Sequence, residues 1–304
     1  MIASPQPNIV YYASGQDITS LNTKTREREV IFSVKFAPRC LTASKEWICV
    51  GGDEGEYVAV SLADIKASRE AALDVDFDAD DRLPLDLDIN SMHRFRESAR
   101  RNRVPKPMTA KSAKVGMEIV NCITLWMPSA GVSRTAYTIP VSVVANNDRT
   151  VIIQSLSEDA ETLQKITFPA CVNRAVISPD GFTLATISDD PYLYIHERRR
   201  IERSKESWIN ASNPNLDYEW VQMCRIQLEG QGRAEEQHEM KGCFAVCFSS
   251  TGRYLAVATQ FGIIQVFEVG TITESGSLVA VFTTSRPCAG IRASSGMPSC
   301  PVLL

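Results

Sequence analysis

The chain has 304 residues, 44% of them hydrophobic and 22% charged, with a formal net charge of -4. Such a composition is ordinary for a globular protein with a sizeable core in one large domain or two smaller ones, and it excludes a global electrostatic pull toward nucleic acid or anionic membrane, so any such affinity must be local. Nine cysteines, an odd number with no C-x-x-C pair, suggest neither a full disulfide framework nor a zinc ribbon; most sit inside apolar runs and read as free buried thiols.

In chain order, "MIASPQPNIVYYASG" lacks the basic start and continuous apolar stretch of a signal peptide. No later segment approaches the ~20 apolar residues that span a bilayer. A cytosolic or nuclear location without membrane contact is expected. "IVYYASG" and "DITSLN" read as the second and third strands of a unit, joined by a turn near Ser14, with "REVIFSVKF" as its fourth, and "WICVGGDEGEYVAVSL" (47–62) is a strand pair around a turn at Asp53. The strand pattern then stops over 63–115. "ALDVDFDADDRLPLDLDIN" holds seven aspartates from Asp74 to Asp88, and "HRFRESARRNRVPKPMTAKSAK" holds eight Lys or Arg from Arg94 to Lys114.

"VSVVANNDRTVIIQSL" (141–156) resumes the pattern around Asp148. The next unit supplies four strands: "NRAVIS" (173–178), "FTLATI" (182–187), "YLYIH" (192–196) and, within a second charged stretch over 198–240, "WVQMCRIQL" (220–228). The following unit repeats them as "FAVCFS" (244–249), "YLAVAT" (254–259), "IIQVFEV" (263–269) and "SLVAVFTT" (277–284). Asp-Gly, Thr-Gly and Asn-Asp turns separate these strands, and such residues tolerate the left-handed backbone of tight hairpins. An antiparallel fold with almost no helix outside the insertions is predicted.

These units are copies of one another. Placing Gly181 on Gly252 aligns "SPDGFTLATISDDPYLYIHE" with "SSTGRYLAVATQFGIIQVFE" without a gap. With Ser14, Asp53, Asp148, Asp189 and Gln260 as markers, successive copies lie 39, 95, 41 and 71 residues apart. Two of these gaps match the period of roughly 40–45 residues of a four-stranded propeller blade, and the other two are one period plus insertions of about 54 and about 30 residues.

"VISPDGFTLATISDDPYLYIHE" resembles the repeat of the WD40 family of β-propellers, which runs from an apolar strand through Ser-Pro-Asp-Gly and Leu-Ala-x-x-Ser-x-Asp to a strand ending in Trp-Asp. His196-Glu197, Phe267-Glu268 and Ser155-Leu156 stand in place of the Trp-Asp, and the family's Gly-His pair is absent. The long charged insertions between degenerate repeats are similar to those of uncharacterised fungal WD-repeat proteins. The resemblance implies an all-β, WD40-like propeller with about five recognisable blades, an incomplete or truncated form of the usual seven. It also implies that the Asp at the central turn joins a structural hydrogen-bond network. The chain enters mid-blade, its first strand missing. In this family the two termini commonly complete one blade together, yet "RPCAGIRASSGMPSCPVLL" makes an unconvincing strand. Either the tail wraps irregularly or the chain is truncated; truncation is favoured. The expected organisation is a propeller over 1–285, interrupted at 63–115 and 198–240, and an irregular tail over 286–304.

Signs of catalysis are few. His93, His196 and His238 lie beside or within the charged insertions without a metal-binding partner at H-x-x-x-H spacing, and G-x-S-x-G, P-loop and G-x-G-x-x-G sequences do not occur. No catalytic residue, cofactor or metal is expected. Cys243 and Cys247 share one face of a strand by period two, yet stand some 13 Å apart at ~3.3 Å per residue, too far to chelate one ion together. Asp53, Asp148 and Asp189 read as turn residues that satisfy local N–H groups. The candidate partner-binding residues are basic: Arg94, Arg96, Arg100, Arg101, Arg103 and Lys106 in the first insertion, and Arg198, Arg199, Arg200 and Arg203 in the second. In "HERRRIERSKESW", helical spacing sets Arg198, Glu202 and Glu206 on one face, so a charged surface helix is predicted there, with Trp208, Trp220 and Tyr218 pinning the loop. The expected function is a non-catalytic scaffold with other proteins as partners. The alternative is a nucleic-acid or phosphate-binding module using the blocks 94–114 and 198–205, and an enzyme is the third.

Overall fold

The computed structural model describes residues 1–67, 111–128, 137–157, 161–201, 218–228, 242–259, 262–271 and 278–283. Their strands form five four-stranded antiparallel sheets, each built from consecutive strands in simple order. The first sheet is β1 (Ile2–Gln6), β2 (Ile9–Ser14), β3 (Asp17–Asn22) and β4 (Arg28–Ser33); the second is β5 (Cys40–Ala43), β6 (Trp47–Gly51), β7 (Glu56–Ser61) and β8 (Lys111–Lys114). The third holds β9 (Val120–Trp126), β10 (Val141–Asn146), β11 (Thr150–Ser155) and β12 (Thr162–Thr167). The fourth holds β13 (Val172–Ile177), β14 (Thr183–Ser188), β15 (Tyr192–Arg200) and β16 (Tyr218–Gln227), and the fifth β17 (Cys243–Phe248), β18 (Tyr254–Thr259), β19 (Ile263–Glu268) and β20 (Leu278–Thr283). Helix among the described residues is limited to 62–67 and a 3₁₀ turn at Val269–Thr271.

The strands form where β-branched and aromatic residues run between turn residues, and the turns repeat their chemistry. In the fourth sheet Gly181 adopts φ 83° and its N–H donates to the Ser178 carbonyl (2.8 Å), while Ser178 Oγ accepts from Thr183 N–H (2.9 Å). In the fifth, Gly252 adopts φ 73°, its N–H donates to the Ser249 carbonyl (2.9 Å), and Ser249 Oγ accepts from Tyr254 N–H (3.0 Å). Glycine is needed at both positions because that backbone places an L side chain against the following carbonyl.

The sheets also share their irregularities. A one-residue bulge falls in the fourth strand at Ile31, Leu163, Met223 and Val279, and another near the start of the first strand at Asn121, Asn173 and Phe244. Bulges increase local twist and re-aim side chains. The bulge at Phe244 corrects one expectation: it breaks the period-two alternation, so Cys243 and Cys247 do not share a face. Cys243 is fully buried and Cys247 partly exposed.

The chain divides into two compact units, one of residues 1–52 with 57–113 and the other of 53–56 with 114–304. The core of the first joins Tyr11, Ile18, Phe32 and Val34 to Ile48, Val50, Val58, Val60 and Ile65. In the second, Val143, Ile153, Ala175, Leu184 and Tyr194 belong to one cluster, while Ile187, Leu193, Val246, Leu255, Val257 and Phe267 belong to another. Hydrogen bonds tie the third sheet to the fourth: Thr124 Oγ1 donates to the Ala175 carbonyl (2.7 Å), and Trp126 Nε1 to that of Ser178 (2.9 Å).

Three further expectations are corrected. The first sheet takes its first strand from residues 2–6, where Pro5 masks the pattern; proline is tolerated because β1 pairs on one side only, with β2. The span 63–115 is not wholly outside the sheets, since Lys111–Lys114 closes the second. In the second insertion, residues 198–200 continue β15 as strand instead of starting a helix. The rest of the two insertions, 68–110, 202–217 and 229–240, lies outside the described residues, as does the tail over 286–304.

Candidate interaction surface

The β15–β16 hairpin is longer than any other, with strands of nine and ten residues against four to seven elsewhere. Its added length is the register Arg198↔Trp220, Arg199↔Glu219 and Arg200↔Tyr218. Side chains alternate across it with period two. Arg198 and Trp220 are buried, whereas Glu197, Arg199 and Arg200 are exposed.

The buried face is an aromatic cage. The Arg198 guanidinium lies 3.6 Å from the Tyr137 ring centroid and 4.4 Å from that of Tyr218, so the cation contacts two π faces. Tyr137 is fixed in turn: Trp220 Nε1 donates to its hydroxyl (3.0 Å), and its ring meets Trp126 edge to face at 5.8 Å. Burial lowers the Arg198 pKa, partly opposed by the two tyrosines, and burial raises that of Tyr137. Guanidinium suits this position because it is planar and more weakly hydrated than ammonium. On the open face Arg199 Nε donates to Glu197 (3.0 Å) and its Nη2 to the Met223 sulfur (2.9 Å). The run Arg198–Arg200 is therefore not one basic patch: Arg198 is internal, Arg199 is paired, and Arg200 is exposed at the strand end. Arg94, Arg96, Arg100, Arg101, Arg103, Lys106 and Arg203 lie outside the described residues. A reading by charge alone missed the cage because Tyr137 is remote in sequence; the aromatic residues flanking the insertion were the available signal.

His196 lies two residues earlier on the same face, 4% exposed, its ring edge to face with Phe168 at 5.4 Å. Burial lowers its pKa from 6.5 to about 4. The unfolded chain therefore takes up a proton near pH 6.5 that the folded chain refuses until about pH 4, so this contribution to stability is complete above pH 6.5 and declines as pH falls toward 4. Urea unfolding at pH 7 and pH 5 should differ by about 2 kcal/mol from this group, and His196→Gln should remove that part of the difference.

The turn carboxylates are engaged locally. Asp148 accepts from Met117 N–H (2.9 Å) and Thr150 Oγ1 (2.5 Å), and Asp189 from Asn173 Nδ2 (2.8 Å). Asp180 accepts from Ser178 Oγ (2.5 Å) and Phe182 N–H (3.1 Å); Asp190 accepts from Ser188 Oγ (2.7 Å) and from the Tyr194 hydroxyl. Burial and that bond to Asp190 push the Tyr194 pKa up. Among the described residues no group of three or more His, Cys, Asp or Glu could hold a metal ion, the cysteines are free thiols, and no helix is long and apolar enough to cross a membrane.

Solved structures resemble this one across nearly the whole chain. A chain of the mitotic checkpoint complex superposes with TM-score 0.58 at 9% identity, covering 94% of this chain and 64% of that one. Sqt1 from Chaetomium thermophilum superposes with TM-score 0.51 at 18% identity, covering 94% of this chain and 61% of its own. Both are WD40 propellers, and the fold here is WD40-like. This chain spans less than two thirds of the length of either. No family model and no curated protein matches the sequence, so the nearer resemblance to fungal WD-repeat proteins has no sequence match behind it.

Proposed function

We propose that the chain is a non-catalytic scaffold, a framework of four-stranded sheets that presents its charged insertions to partner proteins. One observation carries this reading: the β15–β16 hairpin, which flanks residues 201–217, is locked by the Tyr137–Arg198–Tyr218 stack and the packing of Trp220. A long hairpin fixed at this cost in buried charge is suited to holding a recognition loop, since loops on a rigid framework usually carry specificity. The WD40-like fold agrees, because such propellers generally serve as protein-interaction scaffolds, and one structural neighbour was solved within the mitotic checkpoint complex. Nucleic-acid or phosphate binding through blocks 94–114 and 198–205 has less support, because Arg198 is enclosed and Arg199 is paired with Glu197.

Affinity purification should compare the full chain with one lacking residues 68–110, a deletion that spares β8. The expected outcome is loss of a reproducible set of protein partners while the deleted chain keeps its thermal midpoint. Recovery of the same partners from both would refute a role for the first insertion. Nuclease-sensitive recovery with a steep salt dependence would instead favour the nucleic-acid reading.

A further inference from the structure

Each sheet ends in its first and fourth strands; first strands contact those of neighbouring sheets, as β9 does β13 and β13 does β17, and the fourth strand is the outer edge, paired on one side only among the described residues. Four of the five carry charge: Arg28 and Glu29 in β4, Lys111 and Lys114 in β8, Lys165 in β12, Glu219 and Arg225 in β16. Charged side chains on an edge are a standard defence against strand addition. β20 has none. Its sequence is LVAVFT, without charge, proline or glycine, and rich in the β-branched and aromatic residues that favour pairing. Leu278, Val279, Val281 and Phe282 are 39%, 55%, 42% and 45% exposed. The bulge at Val279 does not set β20 apart, since β4, β12 and β16 carry the equivalent one; beyond it Ala280, Val281, Phe282 and Thr283 pair regularly with β19.

We propose that β20 is a self-association edge at which two copies of this chain pair antiparallel, joining their fifth sheets across a two-fold axis. A second copy fits because a neutral edge is its own complement. In an isologous contact each side chain meets the same short run of residues, so an edge bearing charges of one sign would set like charges near each other. Self-pairing of β8 or β12 would meet that cost and that of β4 or β16, with charges of both signs, only in some registers; β20, without charge, meets it in none and buries apolar side chains on both faces of the strand. A pairing of six residues falls below the ~1,200 Å² of a standard stable interface, so the dimer is weak and concentration-dependent.

Sedimentation velocity of the full chain over a hundredfold concentration range should show a monomer–dimer equilibrium. Val281→Lys should weaken it at least tenfold, and Val30→Lys on β4 should leave it unchanged. Hydrogen exchange at low and high concentration provides a second readout, with added protection at 278–283 in the wild type. Val279→Lys repeats the test should Val281→Lys fail to fold. A wild type that stays monomeric throughout overturns the proposal, as does a dimer indifferent to both lysines. Dimerisation only after removal of residues 286–304 also overturns it, because the tail would then be the occupant of the edge.

Discussion

Replacing Gly55 with alanine should destabilise the protein by about 3 to 4 kcal/mol, far more than the same change at Gly15. Both glycines sit in tight turns with positive φ, 77° at Gly55 and 62° at Gly15, so both substitutions carry the left-handed backbone penalty of about 1 to 2 kcal/mol. Their surroundings differ. A Cβ on Gly15 meets nothing within 4 Å, whereas one on Gly55 would stand 2.1 Å from the Gly116 carbonyl oxygen and 2.3 Å from its carbon. Those are backbone atoms and cannot swing aside. The close approach also carries a hydrogen bond, since Val115 N–H donates to the Gly55 carbonyl (2.8 Å). Gly116 is itself backed by the buried Asn146, whose amide would lie 3.0 to 3.3 Å from a Cβ there. Chemical denaturation of Gly55→Ala, Gly15→Ala and wild type reads the difference; equal losses from the two alanines would contradict it.

Trp220→Ala should cost about 3 to 5 kcal/mol, the range for truncating a large buried aromatic. Trp220 is 8% exposed and belongs to the same core cluster as Tyr137, Val143 and Leu184. Its removal opens a cavity and deprives the Tyr137 hydroxyl of its donor, so the ring that stacks on Arg198 loses its anchor. Tyr137→Phe keeps the ring and removes that one hydrogen bond, and should cost only about 1 kcal/mol. Both variants should be followed by denaturation and by hydrogen exchange at 218–227. Fast exchange there is expected in Trp220→Ala and near wild-type exchange in Tyr137→Phe. Comparable behaviour of the two would mean that packing of the indole does not hold the hairpin.

Much of the fold was legible because the turn chemistry repeats. Gly181 and Gly252, with Ser178 and Ser249 before them, form matching hydrogen-bonded turns, and the gapless alignment of the two stretches follows from that. Strand β1 was hidden by Pro5, which reads as a strand breaker unless the strand is known to lie at an edge. Strand β8, sequence KSAK, carries no apolar alternation and joins its sheet through its backbone, which leaves little trace in side chains. The candidate site was legible only in part. The charge of Arg198 pointed to solvent, while its position was decided by Tyr137, some sixty residues earlier in the chain, and by Tyr218 across the insertion. Periodicity reports local neighbours, and a cage assembled from distant segments lies beyond its reach.

Hydrogen exchange of the full chain with and without a captured partner would separate a scaffold working through its insertions from a protein that binds by other means. Slower exchange is expected within 68–110 and 201–217 on complex formation, with amides of β10, β11 and β14 unchanged. Protection confined to the sheets, with both insertions exchanging as in the free chain, would contradict the scaffold reading.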